Sequence, residues 1–156
     1  MRLSKNFVLS EITKSNTAKR LGIKNEPEKK HLENMQRLIT SLIQPMRDAL
    51  GPIRVTSGYR SPSLNRAIGG SSKSQHCKGQ ACDLQFWKEG QMCNKEIYDW
   101  VLKSDIEFDQ MINEFDFAWI HISLKDKVNR KQVLEAYKDA DGDTAYKVAD
   151  INQISL

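Results

Sequence analysis

No stretch of this 156-residue chain is apolar enough to span a bilayer, and its start, Met1-Arg-Leu-Ser-Lys-Asn, lacks the apolar run of a signal peptide. Cysteine is scarce and odd in number. Cys77, Cys82 and Cys93 cannot all pair, which speaks against a disulfide framework. Charge of one sign is missing too: 24 Lys and Arg are interleaved with 20 Asp and Glu, leaving a net +4 without the clustered basic face of a nucleic-acid binder. Neither a nucleic acid nor a membrane is expected as partner. Repeats, low-complexity segments and linkers are also lacking, so residues 1–156 read as a single domain, long enough to bury a core. A hydrophobic content of 39% with 28% charged residues is ordinary for a globular protein.

What is present reads as α+β. Residues 1–26 form an N-terminal arm with short helical signals: Ser10 starts one helix, and Ser15 caps another that Gly22 ends. Pro27 opens a longer helix. Leu32, Met35, Leu38, Ile39, Leu42, Ile43 and Met46 recur at three- and four-residue steps along it, and Pro45 should kink it. Ile53–Thr56 is a short strand delivering Ser57-Gly-Tyr-Arg60, and residues 62–68 a short helix. A strand follows from Asp83 to Phe86, then an amphipathic helix over 94–103. Two antiparallel strands, 107–115 and 118–123, are joined by a short turn. Residues 129–156 are a C-terminal hairpin or tail, with 133–137 and 144–148 paired across the acidic turn Asp139-Ala-Asp-Gly-Asp143. That turn lacks the spaced ligands and terminal Glu of a calcium loop. The expected fold is a small antiparallel sheet flanked by helices.

The chemistry concentrates in Ser74-Gln-His-Cys-Lys-Gly-Gln-Ala-Cys-Asp83, which sets His76 and Asp83 seven residues apart, and in Trp119-Ile-His-Ile-Ser123. Two imidazoles and a carboxylate suit a catalytic zinc, because three protein ligands leave the fourth tetrahedral position open. Cys77 and Cys82 flank these residues and are to be weighed as further ligands. In an extended strand, however, Cys82 points away from Asp83. The thiols read as small, partly buried side chains. His31, near the polar start of the long helix, reads as a surface residue.

The pattern S-x-H-x-x-G-x-A-x-D followed by W-x-H, with Ser57-Gly-Tyr-Arg-Ser61, Phe108-Asp-Gln110 and Asn129-Arg-Lys-Gln132, resembles the zinc D-Ala-D-Ala peptidases of the VanY-like, lysostaphin and hedgehog superfamily. It is most similar to the branch found in phages and prophages, over about residues 3 to 134. The resemblance implies one zinc per chain on His76, Asp83 and His121. It also implies an arginine, Arg60, facing the metal, where its guanidinium can hold a carboxylate or polarise a carbonyl. The substrate implied is the peptidoglycan stem peptide, cut by carboxypeptidase or endolysin-type endopeptidase action. Ser74 and Trp119 join Arg60 as substrate-binding residues, although Trp119 serves equally as core packing. A monomer is expected, made in the cytoplasm and acting on the cell wall after release or export.

One position departs from the pattern. Many relatives carry the catalytic Glu three residues before the last ligand, and here that residue is Ala118. Glu114 is the replacement. With Phe117-Ala118 as a two-residue turn it lies directly across from His121, on the same sheet face. Asp116 is the second choice. Without a base the alternative is a zinc-stabilised wall-binding or phage structural module.

Overall fold

The computed structural model describes residues 1–151. The last five residues of the expected C-terminal tail lie outside the described part. The arm carries α1 (Leu9–Thr13) and α2 (Asn16–Leu21), the latter capped by Ser15 and closed by Gly22. The long helix begins two residues after Pro27. It runs as α3 (Lys29–Leu38), a π-turn (Ile39–Ile43) and α4 (Gln44–Leu50). Pro45 sits in the first turn of α4, directly behind the π-turn. The wider π-turn absorbs the missing backbone donor, so the expected kink takes the form of a local change in winding.

Next come β1 (Ile53–Ser57), α5 (Pro62–Ala67), a 3₁₀ turn (Gln75–Lys78), β2 (Ala81–Lys88) and β3 (Gln91–Met92). The chain ends in α6 (Asn94–Ser104), β4 (Gln110–Glu114), β5 (Trp119–Ser123), β6 (Gln132–Lys138) and β7 (Thr144–Val148). The strands form one sheet in the order β1-β2-β5-β4-β6-β7, with β3 extending β2. The α+β architecture is as expected, and so is the C-terminal hairpin. The sheet is larger than expected and mixed, since β6 joins β4 in parallel.

Side chains of the three central strands point alternately to the two faces of the sheet. Cys82, Leu84 and Phe86 of β2, Ile120 and Ile122 of β5, and Met111 of β4 are buried in the core beneath the helical layer, together with Met35, Leu38, Leu42, Met46 and Ile97. The neighbouring residues along each strand point to the other face: Asp83 and Gln85, Trp119 and His121, Gln110, Ile112 and Glu114. Cys82 is therefore a core residue, with burial pushing its thiol pKa up, and it is no metal ligand. All three thiols are free.

The 3₁₀ turn packs onto α3 through Gly79. Its φ of +71° is left-handed, and a Cβ there would meet the backbone oxygen of His31 and Met35 Cγ. His31 is accordingly half-buried, its ring 5.9 Å from that of Tyr59, rather than on the surface. Gly90 has a similar φ, +77°, with nothing within 4 Å of the added Cβ. Gly90→Ala should cost about 1–2 kcal/mol for the left-handed backbone alone. Gly79→Ala adds a backbone collision and should cost about 3 kcal/mol or more in urea unfolding. Equal losses for the two variants would show that the packing of the turn on α3 is unimportant.

Candidate metal and active site

Each ligand candidate is delivered by a different local device. His76 lies in the 3₁₀ turn, whose first N–H groups are capped by Ser74: the Ser74 hydroxyl oxygen accepts from the His76 N–H at 3.2 Å. Asp83 and His121 are Cα partners in the β2–β5 ladder, so their side chains share a face. His121 Nδ1 and His76 Nε2 lie 3.0 and 3.3 Å from the same Asp83 oxygen, Oδ1. The ligand atoms of all three residues fall within 4.8 Å of one another.

The donor set fits zinc. His76 Nδ1 is 2.7 Å from the Gly58 carbonyl. A carbonyl only accepts, so Nδ1 carries the proton and the Nε2 lone pair faces Asp83. Such an outer hydrogen bond is what fixes a ligating imidazole. Burial lowers the His76 pKa and favours the neutral, ligating ring. Burial alone would raise the Asp83 pKa. The His121 and His76 rings set against the carboxyl outweigh it and hold the Asp83 pKa below the usual range.

The three residues line a cleft of about 670 Å³. Glu114, Trp119, Arg60 and Ser74 line it as well, so every residue assigned to the site from the sequence is brought to one place. The register differs from expectation. Glu114 pairs with Trp119, and His121 with Ile112, because the chain reverses over four residues rather than two. Phe115, Asp116 and Phe117 all take left-handed φ values, 52°, 55° and 63°. Asn113 Oδ1 accepts from the Phe117 N–H, and Asn94 Nδ2 donates to the carbonyls of Phe117 and Ala118 at 2.8 and 3.1 Å. The slip is two residues, and side chains alternate with period two, so Glu114 stays on the His121 face. It is only 8% exposed, and burial raises its pKa, with the nearby Asp83 charge adding to the rise and His121 opposing it. Asp116 is exposed and faces a different hollow, with Lys95, Tyr98 and Lys147.

Arg60 N–H donates to the His76 carbonyl at 3.1 Å, and its Nη1 reaches Asn65 Oδ1 at 3.2 Å. Its Nε is buried without a partner among the described residues. Trp119 is half-buried against Phe115, with ring centroids 5.5 Å apart, and is a wall of the cleft rather than core.

A family model described as Peptidase M15 matches residues 5–123. The chain belongs to the peptidase M15 family. It is also 44% identical over 50 residues to a zinc D-Ala-D-Ala carboxypeptidase of Streptomyces albus G, an alignment that covers 31% of this chain and 20% of that protein. The match to the family model spans the arm, β1, the 3₁₀ turn and β5, and so includes His76, Asp83 and His121.

Sequence reasoning missed two groups in this M15 site. Tyr146 reaches the cleft from β7, through the pairings Glu114–Ala136 and Ala136–Tyr146. Nothing in the sequence signals that β6 docks parallel to β4. The second is Asp109, fully buried, which accepts from Arg130 Nε at 3.0 Å, Arg130 Nη2 at 2.8 Å and Gln75 Nε2 at 3.1 Å. Gln75 precedes His76, so Asp109 ties the C-terminal segment to the metal turn. Burial opposes ionisation of Asp109, but the Arg130 and Gln75 hydrogen bonds win and hold its pKa down to about 2, against an ordinary 3.8. A folded-state pKa below the unfolded one stabilises above the unfolded value and is lost as pH falls through the folded value. Asp109→Asn should therefore destabilise the protein on the order of 1–2 kcal/mol at neutral pH. In urea unfolding the gap to wild type should shrink between pH 4 and 2; a gap constant across that window would contradict the ion-pair account.

Proposed function

We propose that the chain is a zinc-dependent peptidase hydrolysing peptide bonds in the stem peptides of bacterial peptidoglycan, as a carboxypeptidase or endolysin-type endopeptidase, encoded by a phage or prophage. The observation that carries this reading is a buried carboxyl, Glu114, on the same cleft face as the His76–Asp83–His121 cluster. Family membership and the carboxypeptidase relative support the substrate class. A wall-binding module has no use for a buried acid with a raised pKa on the face of its ligand cluster.

In this reading His76, Asp83 and His121 hold one zinc, which supplies Lewis acidity at the carbonyl and makes a water easier to deprotonate. Glu114 takes the proton of the attacking water and passes it to the leaving amine; its raised pKa suits a group that must both accept and release. Arg60, with an unsatisfied Nε, donates to a peptide carboxylate or to the oxygen that gains charge. Trp119 and Tyr146 flank the peptide, and Ser74 has a hydroxyl proton left to donate.

Metal analysis of the purified chain should return one zinc, and His76→Ala and His121→Ala should each lose most of it. Full zinc in both variants would eliminate this ligand set.

Incubation with defined muropeptides, with and without chelator, and product identification by mass spectrometry tests the activity. Cleavage should need metal. Glu114→Gln should keep the zinc and slow hydrolysis by about 10²–10⁴-fold, the usual loss for a general base. Asp116→Asn should act like wild type. If the wild type leaves every muropeptide intact while holding zinc, the binding-module reading replaces this one.

A further inference from the structure

The cleft is electrically lopsided along the strands. Three rows of side chains cross it, set by the ladder pairings. The middle row holds Asp83, His121 and Ile112. Two residues along, about 7 Å away at ordinary strand rise, lie Trp119, Glu114 and, through Ala136, Tyr146. The same distance the other way lie Ser123 and Gln110. Past that third row the cleft lining is basic. Lys125 follows the end of β5 and Arg130 packs on the residue before β4, whereas Arg60, Lys73 and Lys78 line the cleft from the stretch between β1 and β2 that carries His76. The acidic residues of the lining, Asp83 and Glu114, occupy the other two rows.

Within the basic end, Arg130 and Lys125 are built in rather than adventitious. The Asp109 carboxylate, 0% exposed, grips Arg130 through its backbone N–H, Nε and Nη2, and lies 3.7 Å from Lys125 Nζ. Two cations share one anion, leaving a positive charge over. Arg130 Nη1 has no partner among the described residues, and the two side chains stay 46% and 39% exposed at the cleft. A guanidinium pinned on one edge with its other edge open is pre-organised for a second planar anion.

We propose that Arg130 and Lys125, braced by Asp109, form a subsite for a carboxylate of the peptide, lying beyond the metal on the side away from Glu114. The subsite selects acidic peptides and fixes the direction in which they cross the cleft. It is separate from Arg60, which is tied to the backbone of His76 and to Asn65. The inference rests on the peptidase reading for the identity of its ligand.

The test is binding to the zinc-loaded Glu114→Gln chain, followed by calorimetry. The probes are a stem peptide containing an alanyl-γ-glutamyl unit and two versions amidated at the glutamyl carboxylate or at the C-terminus. One amidation should weaken binding about tenfold, and which one identifies the carboxylate that is held. Adding Lys125→Gln, or Arg130→Lys, which keeps a cation for Asp109, should shrink that preference several-fold. Equal affinity for all three peptides, or a preference unchanged in both variants, overturns the subsite. Wild-type hydrolysis is scored separately. An inert wild type with the carboxylate preference present sinks the peptidase reading and keeps the subsite, whereas an active one without it does the reverse. Absence of any binding sinks both.

Discussion

His121 faces Asp83 on one side and Ile112 on the other because β5 is paired with both neighbours in antiparallel register, and everything else in the cleft depends on that strand. Its two flanking residues, Ile120 and Ile122, are fully buried in the core. A slip of one residue would put the imidazole among Leu84, Met111 and Ile97 and expose both isoleucines. Burying a polar ring without partners costs a few kcal/mol, and exposing two isoleucines about as much again. The hydrophobic alternation that makes the core thus makes the metal cluster in the same step.

The cluster carries costs that its surroundings offset. An ionised carboxylate as enclosed as Asp83 is costly without a donor or a cation beside it, and the His76–Asp83–His121 set is suited to share a cation. His76 is more enclosed still and is anchored on the Gly58 carbonyl, itself in a tight spot against Ile12. The arm of residues 1–26 therefore does more than cover the core. Through Ile12 and Gly58 it backs the hydrogen bond that orients a ligand. Asp109 does the equivalent from the opposite side by way of Gln75.

How much of this was legible depends on the distance over which each signal acts. The His76–Asp83 pair sits in one continuous motif, and His121 in a strand whose alternation is plain, so these could be read directly. Arg60 followed from its motif at the end of a strand. The register of β4 against β5 was off by two residues because the turn carries no Gly or Asn-Gly to announce itself. Three successive left-handed residues, two of them Phe, are held by Asn113 and by Asn94, which opens α6 23 positions before Phe117. No local preference predicts such a turn. The parallel docking of β6, and with it Tyr146 and the Asp109–Arg130 pair, is tertiary in the same sense. The π-turn ahead of Pro45 was visible only as a proline in the wrong place.

The parity of that turn also accounts for the alanine at position 118. A residue three before His121 differs from it by an odd number, so within a strand it would face the core; it can reach the metal only from a turn. Here Ala118 lies in the turn, with its carbonyl taken by Asn94 and Gln85. Glu114 is on β4, an even number of residues from Ile112, the partner of His121. An acid there is on the metal face by the geometry of the ladder, whatever the turn does in steps of two. The strained turn then sets only how far along the face the carboxyl sits. In the proposed reaction this moves the base from the ligand's own strand to its neighbour while keeping it beside the water it must deprotonate, and it releases position 118 to tie the turn to α6.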